Sequence, residues 1–381
     1  MSRTLILGGG FGGIAAAVEL KGLLGDRHEV VLVDREEGFA MGLRKLWELV
    51  GHATIADGSR SRELLGRHGI EVVRGEVTAI DPTRRSAVVD GRPLTGDHLL
   101  LALGAVSRPD LVRGLAEHGH DVWSRSGARA AARALAAFRG GRVVVLVAGA
   151  PYPCPPAPFE CALHVDEHLR TRGLRGGSEI EVVTVQPLLM PNAGREGSAW
   201  MAGRLAAREI SSRTAARVVA VEDRVLRLED GDIPFDLLLA VPPHRVPEVV
   251  SASGLTAEHG WIPVDGRTLA TRHPGVFAVG DATLIVLANG LPLPKAGIVA
   301  ERQGARVAAA IAAELRGESE PAPFDGAASC WVEMGPSVAA RIDGEFYASP
   351  EPRLTIAQPD PRWALEKREF ERARLERWFG G

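Results

Sequence analysis

Short apolar runs and helical stretches alternate along most of this chain. Thr4-Leu5-Ile6-Leu7 is apolar enough for a strand buried on both faces, and Ile14-Ala15-Ala16-Ala17-Val18-Glu19-Leu20 behind it is a helix former. Val30-Val31-Leu32-Val33 and Ile70-Glu71-Val72-Val73 predict the next parallel strands, with a short helix over 61–68 between them. Residues 76–80 and 87–89 predict a hairpin-like pair, and the apolar run 97–103, closing at Gly104, returns the chain to the first sheet. A second cycle follows. An alanine-rich helix spans 126–139, buried strands fall at 142–147 and 181–185, and helices at 158–171 and 197–210 flank the latter. Strands near 218–229 lead to a second crossing run, 235–241.

Beyond that run, Pro274-Gly275-Val276-Phe277-Ala278-Val279-Gly280-Asp281 predicts a buried strand ending in Gly-Asp, and a long helix begins after Pro292 and Pro294 and covers 295–315. A Pro/Glu-rich break at 316–323 precedes two strands, 330–335 and 342–347, and a final helix over 363–379. The pattern is α/β, with tandem interleaved Rossmann-like domains of the FAD/NAD(P) type, as in disulfide reductases, and a small C-terminal domain. Residues 1–103 and 231–321 are expected to form one dinucleotide domain, 104–230 the second, and 322–381 the tail.

The segment joining the first strand to the first helix carries the chemistry. Gly8, Gly10 and Gly13 form GxGxxG, and the second strand ends at Asp34. In this strand–turn–helix context Gly8 permits the turn, Gly10 lets a pyrophosphate approach the backbone, and Gly13 lets helix and strand pack closely. The helix N-terminus offers free N–H groups and a positive dipole to the phosphates, and Asp34 is placed to accept hydrogen bonds from the adenosine ribose. Gly280 and Asp281 form a second such strand end, where an acid binds a polyol hydroxyl while glycine lets the cofactor pass. Lys295 and Gly297 stand at the start of the long helix, whose N–H groups can face an electron-rich ring edge. Residues 39–50 read as a short amphipathic segment that covers the adenine end, lines the flavin side, or packs in the core.

The equivalent turn of the second domain lacks this hardware. Ala148-Gly149-Ala150-Pro151-Tyr152-Pro153-Cys154-Pro155-Pro156 has no three-glycine spacing, and proline has no N–H for a phosphate. Gln186 stands where a ribose-binding acid would end the next strand. A bound nicotinamide dinucleotide is therefore not expected there.

Composition narrows the classes. With 45% apolar residues in 381 the chain is globular and large enough for two or three domains. A net charge of -3 implies neither a nucleic-acid face nor an acidic tail. No apolar run approaches ~20 residues, and no signal peptide precedes the first strand, so a cytoplasmic location is expected. Three cysteines, Cys154, Cys161 and Cys330, are too few for a disulfide scaffold; they are core residues or a redox set. No metal site is expected. On the final helix Trp363, Phe370, Ala373 and Trp378 share one broad face, while Leu365, Leu375 and Phe379 lie opposite. Two apolar faces need two burials: the protein body for one, and for the other a second subunit or the membrane surface. In the membrane case Lys367, Arg368, Arg372, Arg374 and Arg377 would meet headgroups, an attraction weakened by the interspersed glutamates.

These segments resemble the two-dinucleotide-domain flavoproteins that include sulfide:quinone oxidoreductase and the flavoprotein of flavocytochrome c sulfide dehydrogenase. The matching stretches are the GGGFGG turn, Cys154-Pro155-Pro156-Ala157-Pro158-Phe159-Glu160, residues 240–245, the 274–281 strand, Pro294-Lys295-Ala296-Gly297, and Cys330-Trp331-Val332-Glu333-Met334-Gly335. The resemblance implies FAD, with Cys154 and Cys330 as a redox pair on one flavin face, Glu160 as proton acceptor, and the helix from Lys295 and Gly297 meeting the isoalloxazine. The chain has no cysteine between Asp34 and Gly149 for a thioether to the flavin, and no CxxCH for haem. The expectation is non-covalent FAD and sulfide oxidation in which HS⁻ attacks a Cys154–Cys330 disulfide, with Lys295 helping to stabilise the reduced ring. Electrons would pass to a quinone and leave sulfane sulfur or polysulfide. The alternatives are a cytochrome c acceptor and an NADH:quinone reductase.

Overall fold

The computed structural model describes residues 2–380. Two five-stranded parallel sheets organise it. The first runs Val276–Ala278, His98–Leu101, Ser2–Leu7, His28–Asp34, Glu71–Arg74. Its central strand is the first apolar run, and Leu5, Ile6 and Leu7 are fully buried. The second runs His120–Asp121, Leu237–Val241, Gly141–Val147, Ser178–Thr184, Ile210–Arg213. Both all-parallel sheets consist of apolar runs because helices cover their faces.

The two apolar crossing runs end in different sheets. Leu99–Leu101 lies in the first, whereas Leu237–Val241 pairs in the second, so the chain returns to the first sheet after 241 rather than at 231. The late strand Val276–Ala278 completes the first sheet against Leu99–Leu101. It brings the Gly280-Asp281 turn beside the Gly8–Gly13 turn. The helices Phe11–Leu24 and Gly297–Arg316 then pack against each other. At Gly304 they come so close that a Cβ would collide with the Gly12 carbonyl oxygen.

Two antiparallel three-stranded sheets, 77–95 and 218–234, flank the parallel ones; the first adds a strand to the expected hairpin-like pair, and the second takes up the strands expected near 218–229. The tail is a further antiparallel sheet, Ala327–Glu333, Ala339–Glu345, Arg353–Ile356, followed by the helix Pro361–Phe379. Its third strand has no counterpart in the expected two. Asp360 caps the helix by accepting from the Arg362 N–H, and Pro361 starts it with φ already set.

The final helix does not leave an apolar face for a membrane or a second subunit. Phe370, Leu375, Trp378 and Phe379 all join the core that covers the first sheet, with Phe11 and Phe39. Trp378 is 1% exposed and stands edge-on to Phe11, with ring centroids 5.8 Å apart. Lys367, expected among the headgroup-facing cations, is buried instead. Leu365 is the large apolar side chain that this helix leaves exposed. No helix among the described residues is long and apolar enough to cross a membrane.

Candidate functional site

A cavity of about 490 Å³ opens where the two parallel sheets and the tail meet. Gly10 and Phe11 line it from the first turn, Asp281 from the second, and Ala296, Gly297 and Ile298 from the start of the long helix. Pro153, Cys154, Ala157 and Glu160 come from the second domain; Ser329, Cys330, Trp331, Lys367 and Phe370 come from the tail.

The three motif glycines divide the work. Gly8 has φ +107°, and a Cβ there would collide with the Ala102 carbonyl. A Cβ on Gly13 would collide with the Gly8 carbonyl oxygen. A Cβ on Gly10 would meet nothing within 4 Å, because that position faces the cavity. No side chain caps the Phe11–Leu24 helix, so its first amides are left for a ligand. The Gly297–Arg316 helix is likewise uncapped at Ala296, and it starts two residues later than expected. Two uncapped helix N-termini on one cavity suit a ligand with a phosphate at one point and an electron-rich ring at another. A flavin nucleotide fits that requirement.

Asp34 lies behind the turn. Its carboxylate accepts from the Gly9 N–H at 2.7 Å and the Glu36 N–H at 2.8 Å, and Arg62 Nη2 is 3.4 Å away. Arg62 also donates from Nε to the Gly9 carbonyl at 2.9 Å and lines the cavity. It is a cavity cation that the motif alone does not reveal. Gly280 donates its N–H to Gln303 Oε1 at 2.7 Å. Burial pushes the Asp281 carboxyl up, against the opposing pull of Lys295 and Lys45. Lys295 donates from Nζ to the carbonyls of Asp281 (2.8 Å) and Thr283 (2.5 Å), with its ammonium 3.8 Å from the Trp261 ring centroid. Burial brings it down to about 8. Lys45 is the second buried lysine; it lines the cavity, donates to the Trp123 carbonyl at 2.5 Å, and is lowered by burial.

The expected Cys154–Cys330 disulfide is absent. All three cysteines are free thiols, so no S–S bond is there for hydrosulfide to attack, and the redox-pair chemistry falls with it. The Cys330 thiol instead donates to the Trp331 carbonyl oxygen at 3.7 Å. Both thiols line the cavity wall, and the Cys330 thiol together with burial pushes Cys154 well up, while Cys330 is lowered by its interaction with Cys154. Cys154 holds φ +55°, a conformation that a side chain rarely adopts; its N–H donates to the Lys295 carbonyl at 2.5 Å. Cys161, one helical turn past Ala157, is fully buried and pushed up to about 12 by that burial, which makes it inert.

Glu160 belongs to a buried charge cluster. On the Ala157–Thr171 helix, Glu160 and His164 are one turn apart, and the Glu160 Oε1–His164 Nε2 distance is 3.6 Å. Lys367 donates to Glu160 and, at 2.9 Å, to Glu333 Oε2. Glu333 Oε2 also accepts from Trp47 Nε1 at 2.8 Å and lies 3.2 Å from His164 Nε2. Burial opposes ionisation of Glu333, but Lys367 and His164 outweigh it and hold the carboxyl far below its ordinary range. Burial likewise opposes charge on Lys367 and His164, and the two carboxylates outweigh it, raising both. Glu160, His164 and Glu333 offer ligand atoms within 4.8 Å of one another. The Lys367 ammonium sits among them and already supplies the cation that these carboxylates need.

Comparison with known proteins comes out in the same direction. The pattern of the pyridine nucleotide-disulphide oxidoreductase family matches residues 2–311. The chain is 23% identical to the mitochondrial sulfide:quinone oxidoreductase of Mus musculus, over 91% of this chain and 79% of that protein. It is 25% identical to the sulfide-quinone reductase of Aquifex aeolicus, over 95% and 87%. The X-ray structure of the sulfide:quinone oxidoreductase from that bacterium superposes with a TM-score of 0.89 at 23% identity, covering 100% of this chain and 92% of the other.

Proposed function

The chain belongs to the pyridine nucleotide-disulphide oxidoreductase family, as a flavin-dependent oxidoreductase similar to the sulfide:quinone oxidoreductases, and from that premise we propose that it binds FAD without a covalent bond, oxidises sulfide and delivers the electrons to a quinone. The observation that carries the reading is the single cavity that joins the Gly10 turn to the buried Glu160–Lys367 pair. FAD supplies a two-electron acceptor when bound. The first-helix amides would hold the pyrophosphate, Asp281 would take a polyol hydroxyl, and the Gly297 helix N-terminus would offer its N–H groups to the flavin ring. Gly8, Gly13 and Gly280 shape the turns, and Asp34 braces the first of them. Lys295 fixes the backbone around Asp281.

Glu160 is the acceptor for the proton that leaves the sulfur substrate, and the Lys367 ammonium is the cation paired with it in the buried cluster. Trp331 and Phe370 form a tilted aromatic pair, centroids 5.1 Å apart, on the cavity wall. Their flat apolar surface is of the kind a quinone ring stacks on. Lys295, tied to the Asp281 and Thr283 carbonyls, would position the backbone that borders the flavin ring.

Nicotinamide dinucleotide is disfavoured as the donor. At the second-domain turn a Cβ on Gly149 would already meet Pro243 at 2.9 Å, and prolines fill the sequence that follows. Two experiments test the reading. Acid precipitation should release the flavin into the supernatant; colour retained in the pellet contradicts the non-covalent link. Under anaerobic conditions sulfide should bleach the flavin band while NADH leaves it unchanged, and the reverse result assigns the chain to the NADH:quinone reductases.

A further inference from the structure

We infer that His164 and the surface histidine His52 form the exit by which a proton taken up at Glu160 reaches solvent. The inference rests on the sulfide-oxidising reading for the origin of the proton, and on the geometry alone for its route.

Glu160 faces the cavity, yet it is 2% exposed and has no water-facing side of its own. A proton accepted there must leave through the protein or return to the cavity. His164 is the neighbour that can carry it. Its Nε2 faces Glu160 Oε1 and Glu333 Oε2, at 3.6 and 3.2 Å. Its Nδ1 is buried and has no hydrogen-bond partner among the described residues. An imidazole accepts at one nitrogen and releases from the other, so the unpartnered Nδ1 marks the outward side of the ring. The ring of His52 lies on that ring at a centroid distance of 5.7 Å and an interplanar angle of 74°. His52 is exposed. The two rings share no hydrogen bond, and one bridging water or a rotation of the exposed ring closes the gap.

Charge balance gives the route its direction. With Glu160 and Glu333 ionised, and Lys367 and His164 protonated, the buried cluster is neutral. A proton arriving on Glu160 leaves a net positive charge away from water, which is costly unless a proton departs. Lys367 is held by both carboxylates, so His164 is the member that releases: its Nδ1 proton leaves toward His52, and a flip of the then neutral ring presents the bare nitrogen to protonated Glu160, which returns the cluster to its starting state. His52 faces His164, Glu333, His168 and Glu167, and burial together with the neighbouring His164 charge keeps it lowered, so it passes the proton on. The full step would balance with a second hydrosulfide as sulfur acceptor: H₂S and HS⁻ join as HSS⁻ through a new S–S bond, releasing two electrons and two protons, of which the flavin would take both electrons and one proton while the other follows Glu160, His164 and His52 to solvent.

The test uses the FAD-loaded protein with histidine-selective NMR and a pH-indicator dye. The His52 titration should move in Glu160→Gln, because the two groups are coupled through His164; an unmoved titration overturns the route whatever the substrate is. In His52→Ala, a surface change that preserves folding, sulfide-driven proton release should slow ~10- to ~100-fold at unchanged KM for sulfide, and added imidazole should restore it. Wild-type rates in His52→Ala, or no rescue by imidazole, overturn it. A wild-type flavin that sulfide does not reduce refutes the substrate reading instead, and leaves the NMR coupling to decide the route.

Discussion

The Lys367 ammonium donates to Glu333 Oε2 at 2.9 Å inside the protein, joining the final helix to the first strand of the tail sheet beneath the candidate site. The same ammonium donates to Glu160 from the second domain. One cation therefore ties two domains together and holds the buried Glu333 carboxyl far below its ordinary range.

Replacing it should be costly. Lys367→Met leaves both carboxylates buried without their cation, and a loss of about 3–5 kcal/mol is expected in urea denaturation. Adding Glu333→Gln should recover part of that loss. Additive single losses would show that the pair is not coupled.

His164 gives the cluster a pH signature. Its folded-state pKa is raised, with burial opposed by the stronger pull of Glu160 and Glu333. The stability it contributes is fully present below the ordinary histidine value and is lost as pH rises through the folded one. The stability gap between wild type and His164→Gln should thus be wider at pH ~5.5 than at pH ~8.5, which bracket the unperturbed ~6.5. A gap independent of pH would mean that His164 is neutral in the folded protein.

The glycines of the first turn should separate folding from cofactor binding. Gly10→Ala places a Cβ in the cavity that meets no protein atom within 4 Å, and Gly10→Val adds bulk from the same position, so the variant should fold and lose its flavin. Gly13→Ala collides with the Gly8 carbonyl and should lower stability by more than ~1 kcal/mol. Flavin content after desalting and the denaturation midpoint distinguish the two. Full flavin in Gly10→Val would place the pyrophosphate elsewhere.

The final helix is a structural member. Trp378→Ala should cost about 3–5 kcal/mol, whereas Leu365→Ala should change stability by less than ~0.5 kcal/mol. Equal, small effects would indicate that the helix is only loosely docked.

Most of the scaffold was legible because parallel strands buried on both faces must be apolar runs. Leu5–Leu7, Val30–Val33 and Val143–Leu146 could be read directly for that reason. The Gly8–Gly13 turn was equally plain. Register between distant segments was not. Nothing in Leu237–Val241 distinguishes it from Leu99–Leu101, so its place in the second sheet needed the fold. Arg353–Ile356 is too short and polar to stand out as a strand. Lys367 carried a signal that went unused: it stands four residues after Trp363 and three before Phe370, within the apolar stripe of its helix, and a cation there calls for a buried acid. The identity of that acid depended on bringing residues 160, 333 and 367 together. The cysteines show the opposite limit. Their sequence setting implied a bond, but the thiols remain separate.

The proposed route takes electrons from sulfide and gives them to a quinone through flavin bound in one cavity. Anaerobic double mixing tests it most directly, with sulfide first, then a soluble quinone or cytochrome c, following the flavin absorbance. Rapid bleaching by sulfide and rapid return of colour with quinone are expected. No bleaching by sulfide, or a return of colour with cytochrome c alone, would contradict it.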